Sequence, residues 1–400
     1  MINKILFSLI ITCSSFCIAQ EKTAVSTKHN YPEFSWDTMP LYMHLRKTTA
    51  FTKEEIKFIA KHPLITFEKT TGSRTYGSTE AGTIKAAEAV KKTNPNTKIL
   101  YYKNVVINWP SYKEDELFLK KDPGAMLTDS KGKKAVMSNK KTGFFDLSQE
   151  NVRNYWIDHV AKITSNPYID GIFMDANIKV LVPSFFKSRV GDAKQKELET
   201  GYLSMMNQLN TRLGKDNLLI ANILRVRPEF KDVGREYLKF FNGSYLEGFE
   251  HESFGMSYAD YLAKGIEAVQ KSAREGNVIA MSLGLGEAGE HTVVGFDDQR
   301  KEVVLDDSFS NRLDYLLAIF LVCAEKYSYV YPHDGYSVNE RRDGKGNDSS
   351  VWLKTFPQYK NKLGAPKGPA QKEGYVYTRS FEYLDVTLDI EKKTATLDWK

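Results

Sequence analysis

Eight short apolar runs, each followed by an amphipathic or polar stretch, set the tightest limit on how this chain can fold. They are Leu41–Arg46, Leu64–Lys69, Lys98–Asn104, Ile169–Asp175, Leu218–Leu224, Ser244–Gly248, Val278–Leu283 and Ser328–Tyr331. Most are nearly uniform in apolar character, the pattern of strands buried on both faces. Helical patterns lie between them: Lys53 to Lys61 behind Thr52 and Glu55 in capping-box spacing, Thr79 to Lys92, Asn151 to Ile163, Lys194 to Leu213, Tyr258 to Arg274 and Leu313 to Glu325. Such alternation calls for a parallel sheet, and eight strands are the number that closes a barrel. The expected fold class is α/β, a (β/α)8 TIM barrel.

Two stretches break the repeat. Pro110 to Ser148 reads as a long loop with a small hairpin, and Pro332 to Ser350 as a polar loop carrying Arg341, Arg342 and Asp343. After Lys362-Leu363-Gly364-Ala365-Pro366 the pattern becomes alternating over Tyr375–Phe381, Asp385–Asp389 and Thr394–Trp399. This predicts a short C-terminal antiparallel β extension, either capping the barrel or standing beside it. The resulting division is a leader over 1–20, a barrel over 21–360 and the extension over 361–400.

The leader reads MINKILFSLIITCSSFCIAQ: one charge at Lys4, an apolar run from Ile5 to Ile11, then small residues before Ala19 and Gln20. That order is an export signal, and the expected location is periplasmic or extracellular. Lipoprotein anchoring through Cys13 is the alternative; Thr12 stands before it, where a small residue is usual. No other stretch approaches the ~20 apolar residues of a membrane span, so no integral span is expected. The leader holds two of the 3 cysteines, leaving Cys323 in the apolar run Leu316 to Cys323, where it reads as a buried hydrophobe.

Charge and motif spacing exclude several functions. The 56 Lys and Arg against 50 Asp and Glu give a net charge of +6, but no basic run is dense enough to bind nucleic acid. The 7 histidines show no His-x-His or His-Glu-x-x-His spacing, so no metal is expected, and no other cofactor. Gly284-x-Gly286 and Gly344-x-Gly346 lack the strand–turn–helix context of a nucleotide loop and read as turns. Aromatic residues at 12% are abundant, which suits a carbohydrate partner as well as a core.

Reactive residues in a parallel barrel sit at the C-terminal ends of strands. Asp175 closes the run Ile169 to Met174, with Asn177 beyond it, and Glu247 follows Tyr245-Leu246 with Gly248 turning the chain away. Asp170, at the other end of its strand, reads as structural. Carboxylates at the ends of strands four and six can face each other across the barrel mouth, as glycoside hydrolysis requires. Two such groups cannot both ionise cheaply; the one with the raised pKa serves as acid, a role given to Glu247, while Asp175 attacks. Further rim candidates for substrate contact are His44, Glu68, Lys103, Asn104, Asn222, Arg225, His333 and Asp334. Trp36, Trp109, Tyr331 and Trp352 are candidate sugar-stacking platforms. Arg225, Arg227 and Lys103 suggest an anionic or sulfated glycan, because guanidinium binds sulfate and carboxylate bidentately.

The order Gly143-Phe144-Phe145-Asp146-Leu147-Ser148, Asp170-Gly171-Ile172-Phe173-Met174-Asp175 and Leu246-Glu247-Gly248-Phe249 resembles (β/α)8 glycoside hydrolase families of bacterial polysaccharide degraders. Their layout is akin to clan D glycosidases and the endo-polygalactosaminidase family. The late segments Lys362 to Pro366 and Tyr377-Thr378-Arg379-Ser380-Phe381 are similar to the lead into those families' final strands. The resemblance covers roughly Trp36 to Trp399. It implies Asp175 as nucleophile, Glu247 as acid/base and Asp146 as the cap of the helix after Ser148. Three other functions fit parts of the sequence: a non-catalytic polysaccharide-binding barrel, a metal-dependent hydrolase and a polysaccharide lyase. The last would need a Tyr, His or Lys base. Sugar identity, linkage and oligomeric state are not encoded in these patterns.

Overall fold

Eight strands form one sheet in which every neighbour is the next strand in sequence, and every pairing is parallel. They are β1 (Met43–Leu45), β2 (Leu64–Phe67), β3 (Lys98–Asn104), β4 (Gly171–Asp175), β5 (Leu218–Asn222), β6 (Gly243–Leu246), β7 (Val278–Gly284) and β8 (Ser328–His333). A parallel bridge between Leu41 and Val330 joins the ends, with the Tyr42 amide donating to Val330 O and the Val330 amide to Pro40 O, each at 2.9 Å. The sheet is therefore a closed barrel, as the eight runs imply. This computed structural model describes residues 30–139, 141–250, 252–285, 307–338, 348–349 and 351–400. The leader with Cys13, and Arg341 to Asn347, lie outside the described residues.

Period-2 alternation sorts each strand into an inner and an outer set. Tyr102 of β3, Phe173 of β4, Tyr245 of β6 and His44 of β1 meet ring to ring, with centroids 4.8 to 5.6 Å apart along the chain of contacts, and so fill the interior. Tyr101 and Lys103, the intervening residues of β3, reach His159 and Asp115 in the helical layer outside. Packing at the strand starts is close. A Cβ on Gly171 would lie 1.9 Å from Leu218 O, and one on Gly243 equally near Val278 O, so neither strand start admits a side chain.

The helices follow the expected pattern with small shifts of boundary. Thr52 and Glu55 form the capping box of helix Lys53–Ile59. Several short helices, Asn177–Leu181 among them, go beyond the sequence reading, and one longer helix departs from it: Lys113–Lys121 lies inside the stretch expected as loop. Its weak apolar period hides it, but Glu114, Asp115 and Glu116 in its first turn and Lys120 and Lys121 in its last complement the helix dipole. The hairpin in the same stretch is present, with bridges Thr128 to Lys134 and Val136 to Gly143. Asp146 organises the turn ahead of helix Glu150–Thr164 by accepting from the Ser148 amide and hydroxyl; the N-cap is Gln149, which makes no side-chain cap.

The C-terminal sheet is antiparallel in the order Gln371–Glu373, Val376–Ser380, Leu384–Asp389 and Thr394–Trp399, one strand more than the sequence pattern gives. It packs beside the barrel against helix Asp307–Cys323 and leaves the mouth uncapped. Arg379 fixes it there, donating to Leu321 O at 2.9 Å and to Ala324 O at 2.5 Å. Among the described residues, no helix is long and apolar enough to cross a membrane.

Candidate active site

Asp175 ends β4, and the chain breaks immediately after it. Ala176 adopts φ 63°, ψ 21°, a left-handed conformation that costs a residue other than glycine on the order of 1–3 kcal/mol. The turn brings the Ala176 amide 2.7 Å from Asp175 Oδ1. Tyr102 Oη donates to Oδ2 at 2.6 Å, Asn104 Nδ2 approaches the same oxygen at 3.4 Å, and Asn222 Nδ2 donates to Oδ1 at 3.2 Å. Every partner of Asp175 is a donor, a surrounding suited to an acceptor-only carboxylate.

Glu247 follows β6, where Gly248 takes φ 57° and turns the chain out of the strand. Its Oε1 accepts from the same Asn222 amide nitrogen at 2.9 Å. The two nearest carboxylate oxygens of Asp175 and Glu247 are therefore at most about 6.1 Å apart, the length of the two hydrogen bonds end to end. Arg225 donates to the Glu247 carbonyl at 2.7 Å and stands 3.5 Å from Oε1. Glu247 keeps 39% side-chain exposure toward the open mouth but is walled by protein elsewhere. That partial burial, with the charge of Asp175, pushes its carboxyl above the ordinary value, while Arg225 and Asn222 pull the other way.

The floor beneath the pair is aromatic. His44 lies 4.8 Å from the ring of Phe173 and 5.0 Å from those of Tyr245 and Tyr336, and burial lowers it to about 3. It is a neutral ring held by the Tyr42 hydroxyl at 3.2 Å. Tyr245 and Tyr336 share a hydroxyl–hydroxyl bond of 2.6 Å. His333 stacks between Tyr331 at 5.4 Å and Tyr336 at 4.4 Å, and burial lowers it to about 4.

Several residues expected at the rim are used differently. Lys103 is only 2% exposed and grips both oxygens of Asp115, at 2.6 and 2.7 Å. It sits one residue out of phase with Tyr102 and Asn104, so alternation turns it away from the mouth. Asn177 is fully buried, donating to Met174 O at 2.9 Å and accepting from Tyr202 Oη at 2.7 Å, which spends both ends of its amide inside. Burial alone would raise Glu68, but Lys69 and Arg46 together hold its carboxyl at about 2, a settled ion pair. Asn104 mainly accepts from the Val106 and Ile107 amides, shaping the loop, while its amide group faces Asp175. Asn222 bridges the two carboxylates.

Trp109 stands by the site with Lys69 5.1 Å above its ring, whereas Trp36 packs on Phe34 and Phe381 and Trp352 on Phe58, away from the mouth. Tyr331 is buried in the wall, and among the described residues its hydroxyl has no partner. Glu250 is held by Arg312 at 2.8 and 2.5 Å. A cavity of about 610 Å³ lies between the outer side of β1 and β8 and residues 351–359, and none of the mouth carboxylates lines it.

Sequence reasoning missed Tyr102 and Lys179. Tyr102 shares the inner face of β3 with Asn104, so strict alternation would have found it. Lys179, on helix Asn177–Leu181 directly after β4, carries no motif.

Residues 91–385 match the model of hypothetical glycosyl hydrolase family 15. The chain belongs to that family. The matched stretch of this family member runs from the end of helix Thr79–Thr93 into the C-terminal sheet and contains both Asp175 and Glu247. No curated protein matches it significantly. It is similar to the GH36 α-galactosidase AgaA of Geobacillus stearothermophilus at 10% identity, over 89% of this chain and 48% of that one, with a TM-score of 0.47. It is also similar to the noncanonic maltogenic α-amylase AmyB of Thermotoga neapolitana at 12% identity, over 88% and 86% of the two chains, with a TM-score of 0.47. The family member thus spans about half the length of the α-galactosidase.

Proposed function

We propose that the protein is an exported, retaining glycoside hydrolase acting on a polysaccharide or oligosaccharide, with Asp175 as nucleophile and Glu247 as acid/base. The observation that carries this reading is the single Asn222 amide nitrogen shared by both carboxylates. A planar amide spreads its two hydrogens by roughly 120°, so two linear bonds of these lengths would put the facing oxygens about 5.3 Å apart, within the upper bound of about 6.1 Å. Retaining pairs stand about 5–5.5 Å apart, and inverting pairs begin near 6.5 Å, where a water must fit between them.

In the first step Asp175 attacks the anomeric carbon while Glu247 gives its proton to the departing oxygen. A glycosyl ester forms and the glycosidic bond breaks. The charge on Asp175 is then gone, and with it one of the influences raising Glu247; Arg225 and Asn222 still pull its pKa down. Glu247 is thereby readied to take a proton from water, which attacks the ester and frees Asp175. Tyr102 and Asn222 stay hydrogen-bonded to the nucleophile's oxygens throughout. Export rests on the leader Met1 to Gln20, and a mature mass lacking 19 or 20 residues is expected.

The test is product stereochemistry on a polysaccharide panel. Proton NMR should show the anomeric configuration kept, and azide should restore turnover to Glu247→Ala with formation of a glycosyl azide. Inverted product would overturn retention. An unsaturated product absorbing in the ultraviolet would point to a lyase instead.

A further inference from the structure

Beside the carboxylate pair lie two cations that no ion pair or hydrogen bond engages among the described residues; Asp175 and Glu247 act on Lys179, and Glu229 on Arg227, only from longer range. Lys179 follows β4 by one helical turn, and Arg227 lies on the loop after β5. Lys179 Nζ is 4.5 Å from the centre of the Phe185 ring, and the Arg227 guanidinium is 5.8 Å from the same centre. Both charges therefore lie against one aromatic ring. Phe254 closes on Arg227 from another side at 5.1 Å, and this phenylalanine is 42% exposed, at the open surface of the site. Among the described residues neither cation has an ion-pair or hydrogen-bond partner, and Arg227 Nε is buried with its hydrogen unengaged.

Other part-buried cations of the fold behave differently. Arg46 and Lys69 meet Glu68, Lys103 meets Asp115, Lys194 meets Asp146, and Arg312 meets Glu250. Burying a charge without a partner is expensive, so a fold keeps one where something else supplies the counter-charge. Burial lowers both Lys179 and Arg227 from their ordinary values, the penalty a bound anion would relieve. Arg225 is already committed to Glu247 and keeps the two cations within one electrostatic site with the catalytic pair.

We infer that Lys179 and Arg227, backed by Phe185 and Phe254, form a subsite for an anionic sugar substituent, a carboxylate or a sulfate ester. This rests on reading the same mouth as a glycosidase site. A guanidinium steadied against two rings presents its N–H fork in a fixed plane, the geometry that takes a carboxylate or sulfate bidentately. The ring of Phe254 offers an apolar face to the sugar itself. A polycationic glycan would be repelled.

The experiment reads binding in the Asp175→Asn protein by calorimetry. The probes are oligogalacturonate, a sulfated galactan oligosaccharide, a neutral galacto-oligosaccharide and a chitosan oligosaccharide. At least one of the two anionic probes should bind about tenfold or more tighter than the neutral one, and added sodium chloride should shrink the advantage. Which of the two binds identifies carboxylate or sulfate as the natural group. Adding Lys179→Gln or Arg227→Gln should remove most of that advantage, in proteins whose unfolding temperature shows them to be folded. Equal or tighter binding of the neutral or chitosan probe, no binding of either anionic probe, or an advantage that survives both substitutions overturns the subsite. The hydrolytic reading fails separately: anionic binding with no reducing ends released by the wild type leaves the subsite standing, and retention on a neutral glycan alone does the reverse.

Discussion

The two sides of the barrel are built from similar residues and do opposite things with them. Beside β1, β2 and β3, charges are matched: Arg46 and Lys69 on Glu68, and Lys103 on both oxygens of Asp115. Beside β4, β5 and β6, charges are forced together or left open. Two carboxylates share one amide donor, and among the described residues Lys179 and Arg227 make no ion pair or hydrogen bond. A matched pair contributes architecture and resists change, since removing either member strands the other in a low dielectric. A mismatched cluster has free energy to gain from a ligand or a proton, and that is the requirement for chemistry.

The sharpest way to break this comparison is to mutate one residue on each side. On the β4 side, Asp175→Asn should lower turnover by at least about 10³-fold, roughly 4 kcal/mol of transition-state stabilisation. Because Asp175 is part-exposed, its unfolding free energy should move by less than about 1 kcal/mol. On the β3 side, Lys103→Met should reverse the pattern. It leaves Asp115 buried with Tyr155 and His159 but no cation, and should cost about 3–5 kcal/mol of stability. Urea unfolding beside initial rates would check both. If Lys103→Met unfolds no more easily than Asp175→Asn, the division into an architectural and a reactive side is wrong.

The sequence made one side of this contrast far more legible than the other. Strand positions follow from uniformly apolar runs, because a strand buried on both faces has no alternative composition, and the eight ranges fall where the pattern puts them. Asp175 and Glu247 stand out because each ends such a run. What a polar residue near a strand end points at is a matter of phase. Lys103 and Asn104 are adjacent, and a shift of one residue sends the first into the helical layer and the second toward Asp175. Asn177 lies past the strand, where the short helix Asn177–Leu181 turns it inward, and no period announces a five-residue helix. Asp115, the partner that settles Lys103, sits on a helix whose apolar signal is too sparse to read.

A smaller effect sharpens the account of Glu247. Its pKa is raised by burial and by Asp175, and lowered by Arg225. The alkaline limb of kcat/KM reports loss of the acid's proton in the free enzyme, so it should lie above the ordinary carboxyl range. Arg225→Gln removes the positive charge and should move that limb to higher pH, while Arg225→Lys should leave it nearly in place. A limb that does not move in Arg225→Gln would mean the guanidinium only holds the Glu247 backbone.

A further expected effect is a difference in the sign of pH dependence between the two sides. Burial holds His44 at about 3 and His333 at about 4, against about 6.5 in an unfolded chain. Between those values the unfolded state binds more protons, so each histidine contributes stability that is complete above pH ~6.5 and is lost as pH falls, toward about 4 for His333 and about 3 for His44, by at most about 1.4 kcal/mol per pH unit. Glu68, held at about 2, adds its own loss only below the unfolded carboxyl range, so between pH ~6.5 and ~4.5 the histidines act without it. Glu247 has the opposite sign. Its folded pKa lies above the unfolded one, so its protonated form favours folding at low pH, and that contribution is lost as pH rises through the folded value. Urea unfolding at pH 7, 5.5 and 4.5 separates the two. His333→Phe should flatten the acid loss, and Glu247→Gln should steepen it by removing a group that opposes it. Identical slopes in the wild type and both variants would show that these groups are not buried in the protonation states the two sides of the barrel require.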